Sequence, residues 1–189
     1  VAIARSSGKP DWLIDRDGVI LAPEDVSSEF QKSLVPLIHL DHPHDARPGQ
    51  AWQAYDERKN CTREEPRAGA AGRLASFLRS SEASRDGGLP PPVRAVLVGE
   101  SEKQLFVQFE PVTRVQWGVP PGSESPDEPS AAEKWQLLKD WFLAHPDGVD
   151  LSDYLVLSRR AITIQRDPGA APKGPLSRGS GGSREKVSR

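Results

Sequence analysis

The densest group of potential metal ligands in the sequence is the heptapeptide HLDHPHD at residues 39–45. Imidazole and carboxylate groups suit zinc, manganese or iron, so this loop could serve a metal-dependent hydrolase. Its spacing is not the helical HxxxH, and Pro43 interrupts any regular element. A short histidine-containing tract is compositional evidence only, and a polar loop is the alternative that we favour. The candidate ligands are His39, Asp41, His42, His44 and Asp45.

Other catalytic patterns are missing from the sequence. There is no GxSxG nucleophile elbow, no GxxxxGK[ST] loop, and no GxGxxG after a predicted strand. Cys61 is the single cysteine and has Arg58, Lys59 and Arg63 nearby, but a reactive thiolate needs a built pocket with a base. We therefore predict a protein that is not an enzyme, with no cofactor, no metal and no small-molecule substrate.

The aromatic residues leave a third possibility, a cell-wall glycan-binding module. Trp52 and Tyr55 stand three positions apart in a polar stretch, and sugars stack on such rings. The chain has five tryptophans, and core packing accounts for them more economically. The acidic run at residues 124–128 could hold a cation, but such runs are more often solvated loops that favour the start of a helix.

Composition argues against nucleic-acid binding. The 189 residues carry a formal net charge of -2, which lacks the positive field of a nucleic-acid binder. Only 36% of the residues are hydrophobic, so we expect part of the chain to be disordered. No apolar run approaches the roughly 18 residues of a membrane span.

Hydrophobic patterning in the first half predicts short strands with much loop. Apolar and small residues alternate over residues 1–5, which predicts a strand. We expect residues 1–10 to be the end of an upstream domain or a linker. Residues 11–21 predict two strands about the turn Asp15–Gly18, with Trp12, Ile14, Val19 and Leu21 facing inward. Residues 35–40 contain Pro36, which predicts an edge strand or extended segment. Residues 41–63 are predicted to be irregular.

The second half predicts two helices and more strands. A helix is expected over residues 65–81, with Pro66 in its first turn. Three strand-like runs at residues 93–98, 104–109 and 112–117 favour an antiparallel meander. Ser130 and Glu133 form a capping-box pattern before a helix over Ala131–Ala144. The predicted fold class is α+β, with a mixed or mainly antiparallel sheet and two helices.

The last predicted strands flank the tripeptide Ser158-Arg159-Arg160, and the tail at residues 167–189 is too poor in apolar residues to order. If the final strand lies at a sheet edge, its unpaired backbone groups can accept a partner's strand, and the arginines can pair with acids on that partner. A normal edge protected by charge and short length is the equally weighted alternative. The candidate partner-binding residues are Arg159, Arg160, Ala161, Ile162, Thr163 and Ile164.

The order of these features resembles the extracytoplasmic β-domain of the bacterial cell-division family FtsQ/DivIB, and most closely its divergent planctomycete-like versions. The resemblance covers roughly residues 1–166 and rests on motif order. The matching pieces are WLIDRDGVIL at residues 12–21, LVPLI at 34–38, TRVQWG at 113–118, a helix beginning near Lys134, and the closing strands at 154–164. The closing strand departs from the family's "iDlR", since Leu155-Val-Leu-Ser158 stands there. The family's partner-contact residues are therefore not carried over.

The resemblance implies a non-catalytic scaffold of the divisome that acts in cell division and septum formation. It implies a single-pass protein of the cell inner membrane, with an upstream span and a POTRA domain before residues 11–166, which would form the β-domain on the periplasmic side. In the family, the C-terminal strands bind an FtsB/FtsL pair by strand addition. The expected partners are accordingly FtsB/FtsL-like division proteins.

Overall fold

A computed structural model of the chain describes residues 1–5, 11–41, 43–45, 47–83, 90–149, 153–159 and 161–166. The three α-helices in these residues are α1 (Ser28–Lys32), α2 (Pro66–Ala83) and α3 (Ala131–Ala144), and a 3-10 turn covers Pro23–Asp25. The strands are β1 (Ala2–Ala4), β2 (Trp12–Ile14), β3 (Ile20–Leu21), β4 (Pro36–Ile38), β5 (Gln53–Asp56), β6 (Cys61–Glu64), β7 (Val93–Val98), β8 (Leu105–Phe109), β9 (Arg114–Gly118), β10 (Asp153–Leu157) and β11 (Ile162–Arg166).

Nine of the described strands form one mixed sheet in the order β11-β10-β9-β8-β7-β4-β1-β2-β3. The pairs β1–β4, β4–β7 and β9–β10 are parallel, whereas β7, β8 and β9 form the antiparallel meander that was predicted. The α+β class with a mixed sheet is therefore confirmed, and both predicted helices are present. The short helix α1 and the separate hairpin β5–β6 were not predicted.

Strand β4 lies inside the sheet, so the prediction of an edge strand at residues 35–40 was wrong. It pairs in parallel with β1 on one side and with β7 on the other. Proline is compatible with this place because Pro36 is the first residue of the strand, where a missing N–H breaks no interior ladder bond. The carbonyl groups of Val35 and Leu37 accept hydrogen bonds from Ile3 and Arg5.

The turn between β2 and β3 sets which side chains face the core. A carboxylate oxygen of Asp15 accepts bonds from the backbone N–H groups of Asp17, at 2.8 Å, and Val19, at 2.9 Å, so Val19 belongs to the turn. Ile20 then stands opposite Ile14 in the main core. The prediction that Val19 and Leu21 face this core was wrong, because a one-residue shift of register exchanges the two faces of a strand.

The main core lies between the sheet and the helices α2 and α3. A smaller cluster of Ile3, Leu13 and Leu34, covered partly by Leu21 and Phe30, lies apart from it. The β2–β3 turn approaches α2 very closely, since a Cβ atom on Gly72 would lie 2.4 Å from the carbonyl oxygen of Asp15. Glycine at this position therefore lets backbone pack on backbone.

Helix α3 begins as its sequence predicts. The hydroxyl of Ser130 accepts the backbone N–H of Glu133, and the Glu133 carboxylate accepts the backbone N–H of Ser130 at 2.7 Å. One face of the helix is buried and comprises the apolar residues Ala131, Trp135, Leu138 and Phe142. Within the described residues, no helix is long and apolar enough to cross a membrane.

Candidate interaction edge

Strand β11 ends the nine-stranded sheet and pairs only with β10 among the described strands. Its register places Leu155 opposite Ile164 and Val156 opposite Thr163. Ile162 is half-buried, whereas the four following residues are exposed, with Ile164 at 56%. Within the described residues, the strand therefore has a neighbour on one side and an open edge on the other.

The hydrogen-bonding alternation of β10 and β11 identifies which backbone groups face outward. The backbone N–H of Ser158 donates to the carbonyl of Ala161 at 3.0 Å, so these two residues form a hydrogen-bonded pair. Because such pairs alternate along an antiparallel ladder, Thr163 and Gln165 direct their N–H and C=O groups toward β10. The corresponding groups of Ile162, Ile164 and Arg166 point to the open side.

The same register assigns the side chains of β11 to two faces of the sheet. Ile164 follows the row formed by Val115 and Leu155, both fully buried in the main core. Thr163 follows the row of Gln116 and Val156, which are half-buried on the opposite face. The edge thus presents an aliphatic side chain on the core side and polar side chains on the other.

The predicted partner-binding residues lie in three different settings. Ile162, Thr163 and Ile164 are in β11, whereas Ala161 precedes it and its carbonyl also accepts the Ser158 hydroxyl at 2.7 Å. Arg159 is exposed in the connecting turn, and Arg160 lies outside the described residues. Gln165 and Arg166 extend the strand and were missed, although the alternation after Ile164 would have carried the prediction that far.

Arg159 borders a groove on the outer side of α3. The groove has a volume of about 230 Å³ and is also lined by Leu137, Glu133 and Asp140. The pKa of the Glu133 carboxyl is lowered, first by the Ser130 hydroxyl, then by the Ser130 backbone N–H, and in a small part by Arg159. The guanidinium of Arg159 therefore lies within electrostatic reach of the helix.

The opposite edge of the sheet is covered. The N–H of Ile20 in β3 donates to the carbonyl of Gln50 at 2.8 Å, and the carbonyl of Ile20 accepts the N–H of Gly49 at 2.8 Å. A further bridge joins Val19 and Ala51. The backbone groups of β3 that face away from β2 are thus engaged by the chain itself.

Two carboxylates of the HLDHPHD loop, those of Asp41 and Asp45, have charged or ionisable partners in the described structure. Asp41 pairs with the guanidinium of Arg67 at 2.8 Å, and the His44 ring lies 3.5 Å from Asp45. His42 lies outside the described residues. No group of three potential metal ligands comes together in the part of the chain that the structure describes.

Arg67 is the centre of a polar cluster that the sequence did not reveal. Besides Asp41, it contacts the buried carboxylate of Glu65 at 2.7 Å and the carbonyl of Gly99 at 3.3 Å. The hydrogen bond with Glu65 is the largest of the causes that raise the pKa of Arg67. This cluster ties the start of α2 to the β7–β8 turn.

The two aromatic residues of the glycan hypothesis do not share a surface. Trp52 is 2% exposed, and its indole N–H donates to the carbonyl of Asp41 at 3.2 Å. Tyr55 is 48% exposed and contacts the His44 ring.

Cys61, predicted to lie in a loop, is exposed in strand β6.

Comparisons of this chain with protein families, with curated proteins and with solved structures find no match.

Proposed function

We propose that this chain is a non-catalytic scaffold that binds another protein by adding a strand to β11, as a divergent FtsQ/DivIB-type component of the bacterial divisome. The observation that carries the proposal is the difference between the two ends of the sheet: β3 is covered by residues 49–51, whereas no described strand pairs with the outer side of β11. Unpaired strand edges are templates for a further strand.

The order of elements supports the family assignment. The resembling segments lie on β2–β3, on β4, on β9, on α3 and on the closing hairpin β10–β11. In the proposal the partners are FtsB/FtsL-like proteins. The full-length protein is held in the inner membrane by an upstream span, and this domain acts in septum formation on the periplasmic side.

Charge supports a heterologous partner. The closing hairpin, residues 153–166, contains Asp153 and the arginines Arg159, Arg160 and Arg166. Positive charge on an edge hinders pairing with a second positively charged edge. A partner segment that carries acidic residues is favoured in the same place.

The test removes one outward hydrogen-bond donor without touching the internal ladder. Ile164→Pro deletes an N–H on the open side, a position where an edge strand tolerates proline. Thr163→Pro is unsuitable, because that N–H faces β10 and its loss breaks the hairpin. Ile164→Val is the matched control, since it keeps the donor and an aliphatic side chain.

The measurement is capture of the FtsB/FtsL-like pair of the same cell by full-length protein, together with thermal unfolding of each variant. We expect Ile164→Pro to weaken capture by about tenfold or more, while its melting temperature stays close to that of Ile164→Val. The loss of one charge-free backbone bond together with strand distortion accounts for at least about 1.4 kcal/mol. Undiminished capture by a folded Ile164→Pro variant would refute strand addition at β11.

A further inference from the structure

Ile164 is exposed at the rim of the main core. It stands beside Leu155, which is fully buried, and it is 56% exposed because no strand follows β11 among the described residues. A side chain placed opposite Ile164 on an added strand would lie on the same face of the sheet. An aliphatic residue there would continue the Val115–Leu155–Ile164 row, because cross-strand aliphatic pairs stabilise a sheet.

Arg166 lies two residues further along the same face of β11 and is exposed. The backbone N–H and C=O groups of Arg166, like those of Ile164, point away from β10. Asp153 stands opposite it on β10, yet the hairpin as a whole has three arginines against one acid. A carboxylate opposite Arg166 on the added strand would reduce this excess and form a charge-assisted hydrogen bond.

The residues of β11 that alternate with Ile164 and Arg166 face the other side of the sheet. Gln165 and Thr163 alternate with Ile164 and Arg166, and both are polar and exposed. The added segment is therefore not required to be apolar at the intervening position.

We infer that the segment added to β11 carries an aliphatic residue opposite Ile164 and an acidic residue two positions away, opposite Arg166. This inference rests on the proposed function and specifies the chemistry of its partner. In an antiparallel partner the acidic residue precedes the aliphatic one, and in a parallel partner it follows. The segment needs about five residues, the length of β11.

Short fluorescent peptides built mainly of threonine test the pattern by fluorescence anisotropy with the whole chain. Two peptides hold Glu and Val two positions apart, in either order. The control peptide has the same composition with Glu and Val adjacent, so that they point to opposite faces. Slippage along the edge cannot restore both contacts to the control.

We expect one of the two-apart peptides to bind about threefold to tenfold more tightly than the adjacent control. A charge exchange gives an independent measure. Arg166→Glu should weaken binding of the peptide that carries Glu and strengthen binding of the same peptide with Lys in place of Glu. Equal binding of all peptides, with no effect of the exchange, would overturn the pattern while leaving strand addition intact. Binding of no peptide, together with undiminished capture by Ile164→Pro, would remove the proposed function as well.

Discussion

At the scale of single residues, Lys134 is the least expected feature of the molecule. Its side chain is fully buried in helix α3, and its ammonium group contacts the Glu128 carboxylate and lies 5.5 Å from the Trp117 ring centroid. The same carboxylate oxygen accepts the N–H of Val119 at 3.4 Å. A buried cation persists only when it is paired, so this contact fastens the loop after β9 to α3.

We predict that Glu128→Gln destabilises the fold by about 2–4 kcal/mol, because it leaves the Lys134 charge buried without its counter-ion. Lys134→Met should cost less, since Met fills the space and Glu128 is partly in contact with water. The double variant Glu128→Gln/Lys134→Met should be more stable than Glu128→Gln alone. Urea unfolding of the three variants measures this order, and a double variant less stable than either single one would contradict it.

The sequence could place α3 but not Lys134. The spacing of Trp135, Leu138 and Phe142 predicts a buried stripe, and those residues are buried. Lys134 lies beside that stripe, but lysine is almost never fully buried. Its partner Glu128 lies six positions upstream in the loop before α3, where no periodic pattern predicts which way the side chain turns, so only the folded chain shows that the two meet.

At the scale of elements, periodicity predicted helices and the meander better than it predicted strand neighbours. The β5–β6 hairpin was missed because its residues Gln53–Asp56 and Cys61–Glu64 are mostly polar and carry no apolar alternation. The interpretation of residues 35–40 as an edge strand or extended segment rested on Pro36 alone. Its burial comes from β1 and β7, which are distant in sequence, and local patterns do not report such neighbours.

The capping box of α3 predicts a pH dependence. The pKa of Glu133 is lowered from its ordinary value of 4.5, chiefly by the Ser130 hydroxyl. A carboxyl group with a lowered pKa in the folded state stabilises that state above its ordinary pKa, and the stabilisation is lost as the pH falls through the folded value. Glu133→Gln keeps the geometry of the box but does not titrate.

Wild-type chain should therefore lose more stability than Glu133→Gln between about pH 6 and about pH 3, where carboxyl groups titrate. The measurement is the free energy of unfolding of both proteins across this interval. Leu143→Ala, a change of an apolar residue that is 73% exposed in the same helix, serves as the control and should run parallel to wild type. An equal acid response of Glu133→Gln and wild type would show that the charge of Glu133 does not contribute to stability.

At the scale of the whole molecule, the first strand joins two parts of one sheet. Strand β1 pairs with β2 on one side and with β4 on the other, and Ala2, Ile3 and Ala4 are all buried. The predicted division places residues 1–10 in the end of an upstream domain or linker and begins the β-domain at residue 11. That boundary remains a prediction, whereas the pairing shows that β2 and β3 reach the rest of the sheet through β1.

A chain that begins at Asp11 should for this reason lose the native arrangement of β2 and β3. Without β1, the carbonyl groups of Val35 and Leu37 would lose the hydrogen bonds that they accept from Ile3 and Arg5, and the apolar burial of Ala2, Ile3 and Ala4 would be lost as well. Arg5→Ala is the control, because its ion pair with Asp11 is exposed on both sides and such pairs contribute about 1 kcal/mol or less. Hydrogen exchange at β2, β3 and β4, together with thermal unfolding, distinguishes the truncated chain from Arg5→Ala. The truncated chain should lose protection from exchange in all three strands. Native protection there would mean that the domain is complete from residue 11 and that β1 is dispensable to it.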